Sequence, residues 1–334
     1  MNQSEKILVV RVGRVGDMVM ITAALNAILD FYETAEVHVL TGNDGKRVLS
    51  GFHTRLTQCY DYNRKSLNAW WIRYKLKKLI AQEQYTHIFC FETNPSYLNL
   101  FSKSQAAVHF NKNCSLDKNF AWHCLQTVNQ VTGQQSTNRI SLSLKNDAIV
   151  ESDLILKENN IDRDKIIIGL HPSFSGLKKL KMRSQRSIHE RGWPEENWAN
   201  LAIQLSAYAE KNGLEIQIIM DLLDEDRALG ERIVALSQNT IKMLIPAMNF
   251  ERYKATLSTM DLLITPNTGP MHIAGALGVK MVALFAVESP SNCGPYVNDN
   301  QYTAICAEQM SNPELGLAAI TVDDVFAASK AFIV

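Results

Sequence analysis

Asp261-Leu-Leu-Ile-Thr-Pro-Asn-Thr-Gly-Pro-Met-His-Ile-Ala-Gly-Ala-Leu-Gly278 carries an apolar strand straight into a helix through a small, polar turn. Such a junction binds anions. The first amides of a helix have no intrahelical acceptor, and the helix dipole adds positive potential at the same end. Asn267, Thr268 and Gly269 fall where those amides emerge, and Pro270 suits the first helical turn because it has no N–H to lose. A phosphate or pyrophosphate is the expected ligand, with the Thr268 hydroxyl as a further donor, Met271 next in the loop and His272 one turn along. An ordinary α/β turn with a capping Thr and a core-facing His remains open on this stretch alone.

A second junction lies near the start. Lys6-Ile-Leu-Val-Val-Arg-Val12 reads as a buried strand and runs into Gly13-Arg-Val-Gly16-Asp17 before a helical run. It sets a carboxylate at a helix start, above the carboxyl end of a strand, where open α/β sheets collect ligands and chemistry. Asp is also among the preferred helix caps, so Asp17 has a structural reading as well. A carboxylate does not attract phosphate to its own helix end. The two loops, one acidic and one made for an anion, therefore suggest two half-sites.

Strand and helix patterns alternate along the whole chain. Strands are expected at 6–12, 36–40, 87–91, 106–109, 166–170, 215–220, 262–265 and 281–285, and helices at 17–30, 68–82, 195–211, 224–237, 250–258 and 269–277. This is the pattern of parallel sheets covered by helices. A length of 334 residues exceeds one hydrophobic core. The polar stretch Lys145 to Lys165 reads as the linker between two domains.

Composition is that of a soluble protein, with 46% hydrophobic and 20% charged residues. No run approaches the roughly 20 apolar residues of a membrane span, and no signal peptide is read at the start, so a cytoplasmic location is expected. Six scattered cysteines without a CxxC pair read as reduced thiols. Net charge is zero, but Gly45 to Leu79 holds nine basic residues against one acid, Asp61, and Lys178 to Arg191 holds six against one. A solvated helix face accounts for such runs; an anionic substrate or membrane surface would too. No nucleic-acid module accompanies them.

Several motifs fail. Gly13-Arg-Val-Gly16 lacks the first glycine of GxGxxG, and Thr41-Gly-Asn-Asp-Gly-Lys46 has the wrong P-loop spacing. His189-Glu190 has no second His at zincin spacing, and no Ser nucleophile elbow is present.

Four motifs in order carry a resemblance: Ile7-Leu-Val-Val-Arg-Val-Gly-Arg-Val-Gly-Asp17, Gly169-Leu-His-Pro172, Arg191-Gly-Trp-Pro194 and Asn267-Thr-Gly-Pro-Met-His272. Together they resemble the heptosyltransferase family, the ADP-heptose:lipopolysaccharide glycosyltransferases, over nearly the whole chain. The resemblance implies an α/β fold of the GT-B type, two Rossmann-like domains with parallel sheets facing a central cleft. An N-terminal acceptor-binding domain would span 1–155 and a C-terminal nucleotide-sugar-binding domain 165–320, with a final helix at 321–334 packing back on the first domain.

The same resemblance implies roles. Asp17 matches the catalytic base of an inverting, single-displacement transfer. Arg191, Asp224, Asn267, Thr268, Gly269, Pro270, Met271 and His272 match or fall near donor-binding positions, while Arg11, Arg14, Lys46 and Arg64 are the cations assigned to the acceptor. No metal site and no cofactor are expected; an ADP-sugar is the co-substrate. The expected partners are an anionic lipopolysaccharide core and the inner face of the cytoplasmic membrane, without nucleic acid. The chain departs from the family pattern in three places: Asn267 stands where many relatives have Asp, Ile219 to Asp224 lacks a glycine-rich turn, and the basic loop 178–191 is long. These leave open a GT-B enzyme with another nucleotide-sugar donor, or a relative that binds without turnover.

Overall fold

The computed structural model describes residues 5–63, 68–110, 115–174 and 191–333. The chain divides into two compact units, Met1–Ser143 and Leu144–Val334. Arg64 and most of the basic loop 178–191 lie outside the described residues.

The first unit is built on a parallel sheet of five strands, ordered β3-β2-β1-β4-β5. These are β1 (Lys6–Val10), β2 (Glu36–Thr41), β3 (Leu56–Asp61), β4 (His87–Cys90) and β5 (Ala107–Phe110), accompanied by α1 (Val15–Met20), α2 (Thr22–Phe31), α3 (Asn43–Val48), α4 (Ala69–Gln82) and α5 (Phe120–Thr132). Strand β1 is buried from Ile7 to Val10 because helices cover both faces of the sheet, which is why it reads as a continuous apolar run. The helix expected over 17–30 is two helices. Thr22 donates its hydroxyl to the Val19 carbonyl at 2.7 Å, and that back-bonding breaks the ladder at Ile21.

The second unit carries a parallel sheet of six strands, ordered β11-β10-β9-β6-β7-β8. Its strands are β6 (Ile166–Leu170), β7 (Ile216–Asp221), β8 (Ile241–Leu244), β9 (Leu262–Pro266), β10 (Lys280–Phe285) and β11 (Tyr302–Cys306). The helices are α6 (Asn146–Glu158), α7 (Glu195–Asn212), α8 (Arg227–Leu236), α9 (Phe250–Ser258), α10 (Gly269–Ala276), the short α11 (Pro290–Cys293) and α12 (Val322–Lys330). Trp198, Leu201 and Leu205 of α7 pack on Ile168, Ile218 and Ile264 of the sheet.

The polar stretch read as a linker contains helix α6. It buries Ala148, Ser152 and Leu156 and packs on α9, where the hydroxyls of Ser152 and Thr256 meet at 3.0 Å. Its one apolar stripe is narrow, so its polar composition hid it. The C-terminal helix α12 packs on α7, β10 and β11 of its own unit. The Thr321 side chain caps it, accepting from the Asp324 amide at 3.2 Å.

Candidate active site

In the first sheet the chain leaves β1 toward β2 on one side and returns to its other side at β4. Ligands collect above the carboxyl ends of the strands at such a reversal. The residues that follow β1 and β4 converge there. Asp17 Oδ1 accepts from Arg11 Nη2 at 2.5 Å, and Asp17 Oδ2 accepts from the Arg14 amide at 2.9 Å. Glu92, after β4, accepts from the Val12 amide at 2.5 Å and lies 4.0 Å from Arg11 Nη1. The Arg11 guanidinium rests 4.4 Å from the centre of the Phe120 ring. Burial alone would lower the Arg11 pKa, but the Asp17 and Glu92 carboxylates outweigh it and the guanidinium is raised.

The two carboxylates differ in access. The Glu92 side chain is 5% exposed and that of Asp17 37%. Glu92 thus braces the loop, while Asp17 is fastened in one orientation and still reachable. Gly13 makes that orientation possible: a Cβ there would stand 2.3 Å from Asp17 Cβ. Helix α3 packs on α1, with Gly45 against Met18 and Thr41. Lys46 on that helix stands 3.8 Å from Asp61 at the end of β3. The structure therefore brings Arg11, Arg14 and Asp17 together; Lys46 is occupied by an acid of its own.

In the second sheet the reversal falls between β6 and β9. The His171 amide, just past β6, donates to the Ile264 carbonyl within β9 at 3.0 Å, and so starts the loop after β6 beside that strand. Thr268 stands at the N-cap of α10, but no side chain caps the helix. The Thr268 hydroxyl donates to the Pro266 carbonyl at 3.2 Å. No side chain therefore competes for the first amides of this helix, the groups that suit an anion. Pro270 lies in the first turn, whereas Met271 and His272 are buried, and the Met271 amide donates to the Thr268 carbonyl at 3.2 Å.

Arg191 is exposed in the turn before α7. Asp224 is 80% exposed and bridged to Arg227 at 2.9 Å. Asn267 donates through Nδ2 to Glu288 at 2.9 Å and to Cys293 Sγ at 3.2 Å. A carboxylate therefore stands at the loop although residue 267 is an amide.

Beneath this edge lies a polar network that the sequence did not announce. Asp221, at the end of β7, forms a buried ion pair with Arg252 of α9. Ser173 donates to Asp226 at 2.6 Å, and Tyr253 lies 3.5 Å from His171. His171 keeps a partly accessible edge, yet desolvation lowers its imidazole to about 4, so it is neutral at pH 7. No group of three His, Cys, Asp or Glu able to hold a metal ion occurs among the described residues.

The profile of glycosyltransferase family 9 (heptosyltransferase) matches residues 150–318, half of the chain. The chain belongs to this family. A curated relative, the lipopolysaccharide core heptosyltransferase OpsX of Haemophilus influenzae, is 25% identical over 131 residues, covering 39% of this chain and 37% of that protein. The matched region thus spans well under half of the relative's length. Among solved structures, a family 9 glycosyltransferase from Veillonella parvula superposes with a TM-score of 0.80 at 16% identity, covering 100% of this chain and 98% of the other. The ADP-heptose lps heptosyltransferase II of E. coli superposes with a TM-score of 0.70 at 16% identity, covering 98% of each chain. At these identities the structures speak for the fold: an α/β chain with two parallel sheets, the GT-B arrangement of heptosyltransferases.

Within this family 9 fold, Glu92, His171 and Glu288 were not singled out as site residues from sequence. Glu92 had a usable signal, since it follows β4 as Asp17 follows β1. His171 follows β6 in the same way. Glu288 had none, because only the folded loop sets it beside Asn267.

Proposed function

We propose that this chain is an inverting glycosyltransferase that moves heptose from ADP-heptose to a lipopolysaccharide inner-core acceptor. Membership in the family supports the donor and acceptor classes. The observation that carries the mechanism is the half-exposed Asp17 carboxylate, fastened by Arg11 and the Arg14 amide at the reversal point of the first sheet. In this reading Asp17 takes the proton from the acceptor hydroxyl as its oxygen attacks the anomeric carbon. The bond from that carbon to the diphosphate breaks in the same step, and ADP leaves. Negative charge then grows on the diphosphate, and the uncapped start of α10 at Thr268 and Gly269, with Arg191, stabilises it. These groups offer the charge stabilisation a bound cation would supply, so turnover is expected to persist in EDTA.

The donor can be tested without an acceptor. Among ADP-, GDP- and UDP-sugars, ADP-heptose should raise the melting temperature most; a ligand at 100 times its Kd adds roughly 2.7 kcal/mol. Stabilisation by UDP- or GDP-sugars alone would refute the donor assignment. Arg191→Ala should weaken ADP binding by roughly 1.5–3 kcal/mol, the size of a charged hydrogen bond. Unchanged affinity by calorimetry would remove Arg191 from the site.

Helix α4 supports work at an anionic lipid surface, with the chain held peripherally on the cytoplasmic face of the inner membrane. Leu76 and Ile80 anchor its inner face, while Trp70, Trp71 and Tyr74 are 72%, 44% and 59% exposed. Those aromatics share the outer face with Lys75 and Lys78, and the helix contains no acid. Aromatic rings with cations suit a headgroup layer, where each cation contributes about 1 kcal/mol. Among the described residues no helix is long and apolar enough to cross a membrane. Lys77→Glu with Lys78→Glu should reduce binding to phosphatidylglycerol vesicles, an effect that shrinks as salt rises because screening acts over about 8–10 Å. Equal binding by both proteins at low salt would leave α4 as a solvated face.

A further inference from the structure

Glu288 is an exposed carboxylate three residues beyond the end of β10. An exposed Glu on a surface loop ordinarily swings free, and this one does not. Its Oε2 accepts from Asn267 Nδ2 at 2.9 Å. The same Asn267 nitrogen reaches Cys293 Sγ at 3.2 Å, and that thiol donates to the Ser289 carbonyl at 3.3 Å. The Asn267 backbone is fixed as well, its amide donating to the Leu284 carbonyl at 2.9 Å. One amide side chain therefore ties the loop after β9 to the loop after β10, and holds a negative charge against Asn267, the residue before the N-cap of α10. Burial pushes the Cys293 thiol up to about 11, so it stays a neutral partner at this charge.

A carboxylate beside an anion-binding helix start is electrostatically costly if phosphate is the entire ligand, because like charges a few ångströms apart repel. It becomes favourable when the ligand continues from phosphate into hydroxyl groups, which donate to a carboxylate in charge-assisted hydrogen bonds. Resting on the functional reading above, we propose that Glu288, oriented by Asn267, binds sugar hydroxyls of the donor and so discriminates a nucleotide-sugar from the free nucleoside diphosphate. The same charge disfavours retention of ADP after transfer. Asn is suited to residue 267 for a reason visible in the geometry: a second carboxylate there would face Glu288 at hydrogen-bond distance, and the tie between the loops would be lost.

Calorimetry with ADP and with ADP-heptose, on the full chain, tests this. Glu288→Gln keeps an acceptor for Asn267 but removes the charge. It should weaken ADP-heptose binding by about 10-fold, the loss of one charge-assisted hydrogen bond, while ADP binding stays equal or tightens. Asn267→Asp should show the same selective loss, and the exchanged pair Asn267→Asp with Glu288→Gln should recover part of it by restoring a carboxylate and an amide in contact. Unchanged ADP-heptose affinity in Glu288→Gln, or equal losses for both ligands, would overturn the proposal. A wild-type chain that binds neither ligand would instead defeat the functional reading on which it rests.

Discussion

Replacing Asp17 with asparagine should lower turnover by on the order of 10²-fold or more, the contribution of a positioned general base, with ADP affinity unchanged. The substitution retains the shape of the side chain, so one oxygen can still accept from Arg11 or from the Arg14 amide. It cannot hold a transferred proton. The groups proposed to bind ADP, Arg191 and the loop at Thr268 and Gly269, belong to the other unit and are untouched by the change. Gly13 remains beside the side chain, and no new clash arises. Steady-state ADP release with a heptose-free core acceptor measures the effect, and a thermal melt checks folding. Near-normal turnover would reduce Asp17 to a residue that merely caps the Arg14 amide in the first turn of helix α1.

The second large effect concerns stability. Arg252→Met should cost roughly 3–5 kcal/mol, because it leaves the buried Asp221 carboxylate without its partner. Removing both charges with Asp221→Leu and Arg252→Met should recover most of the loss, since an apolar pair avoids the desolvation of two ions. Burial pushes the Asp221 carboxyl from 3.8 up to about 6, against the pull of Arg252. A carboxyl raised on folding stabilises the protein below its unfolded value, and that contribution is lost as pH rises through about 6. Without Arg252 the carboxyl rises further. The melting deficit of Arg252→Met should therefore shrink between pH 7 and pH 5; a deficit that grows on acidification would contradict this account.

The interior of both sheets was legible from sequence because burial on two faces leaves long apolar runs. Strands β1, β6 and β9 are of this kind, with Leu8, Ile168 and Ile264 at 0% exposure. The strands that went unread are β3, β8 and β11, all at or beside a sheet edge. Strand β3, Leu-Thr-Gln-Cys-Tyr-Asp, contains no fully buried residue, so neither alternation nor an apolar run marks it. Strand β8, Ile-Lys-Met-Leu, buries only its two end residues, so no apolar run marks it. Helix α5 is opened by Asn119 and closed by Gly133 at φ 70°, signals that its mixed composition obscured.

The candidate site divides in the same way. The placement of Arg11, Arg14, Asp17, Thr268 and Gly269 at strand-to-helix junctions was legible because local sequence encodes such junctions. Partnerships across the chain were not. Glu92 meets Val12 from 80 residues away, and Arg252 meets Asp221 from 31. Asn267 looked like the loss of a carboxylate until the fold set Glu288 beside it.

The anomeric configuration of the transferred heptose tests the central claim most directly. ADP-heptose and a heptose-free core acceptor would be incubated with the wild-type chain, and the new linkage read by NMR alongside the ADP released. The account predicts one ADP per heptose transferred and a configuration opposite to that of the donor. Retention of configuration, or ADP release without transfer, would contradict it.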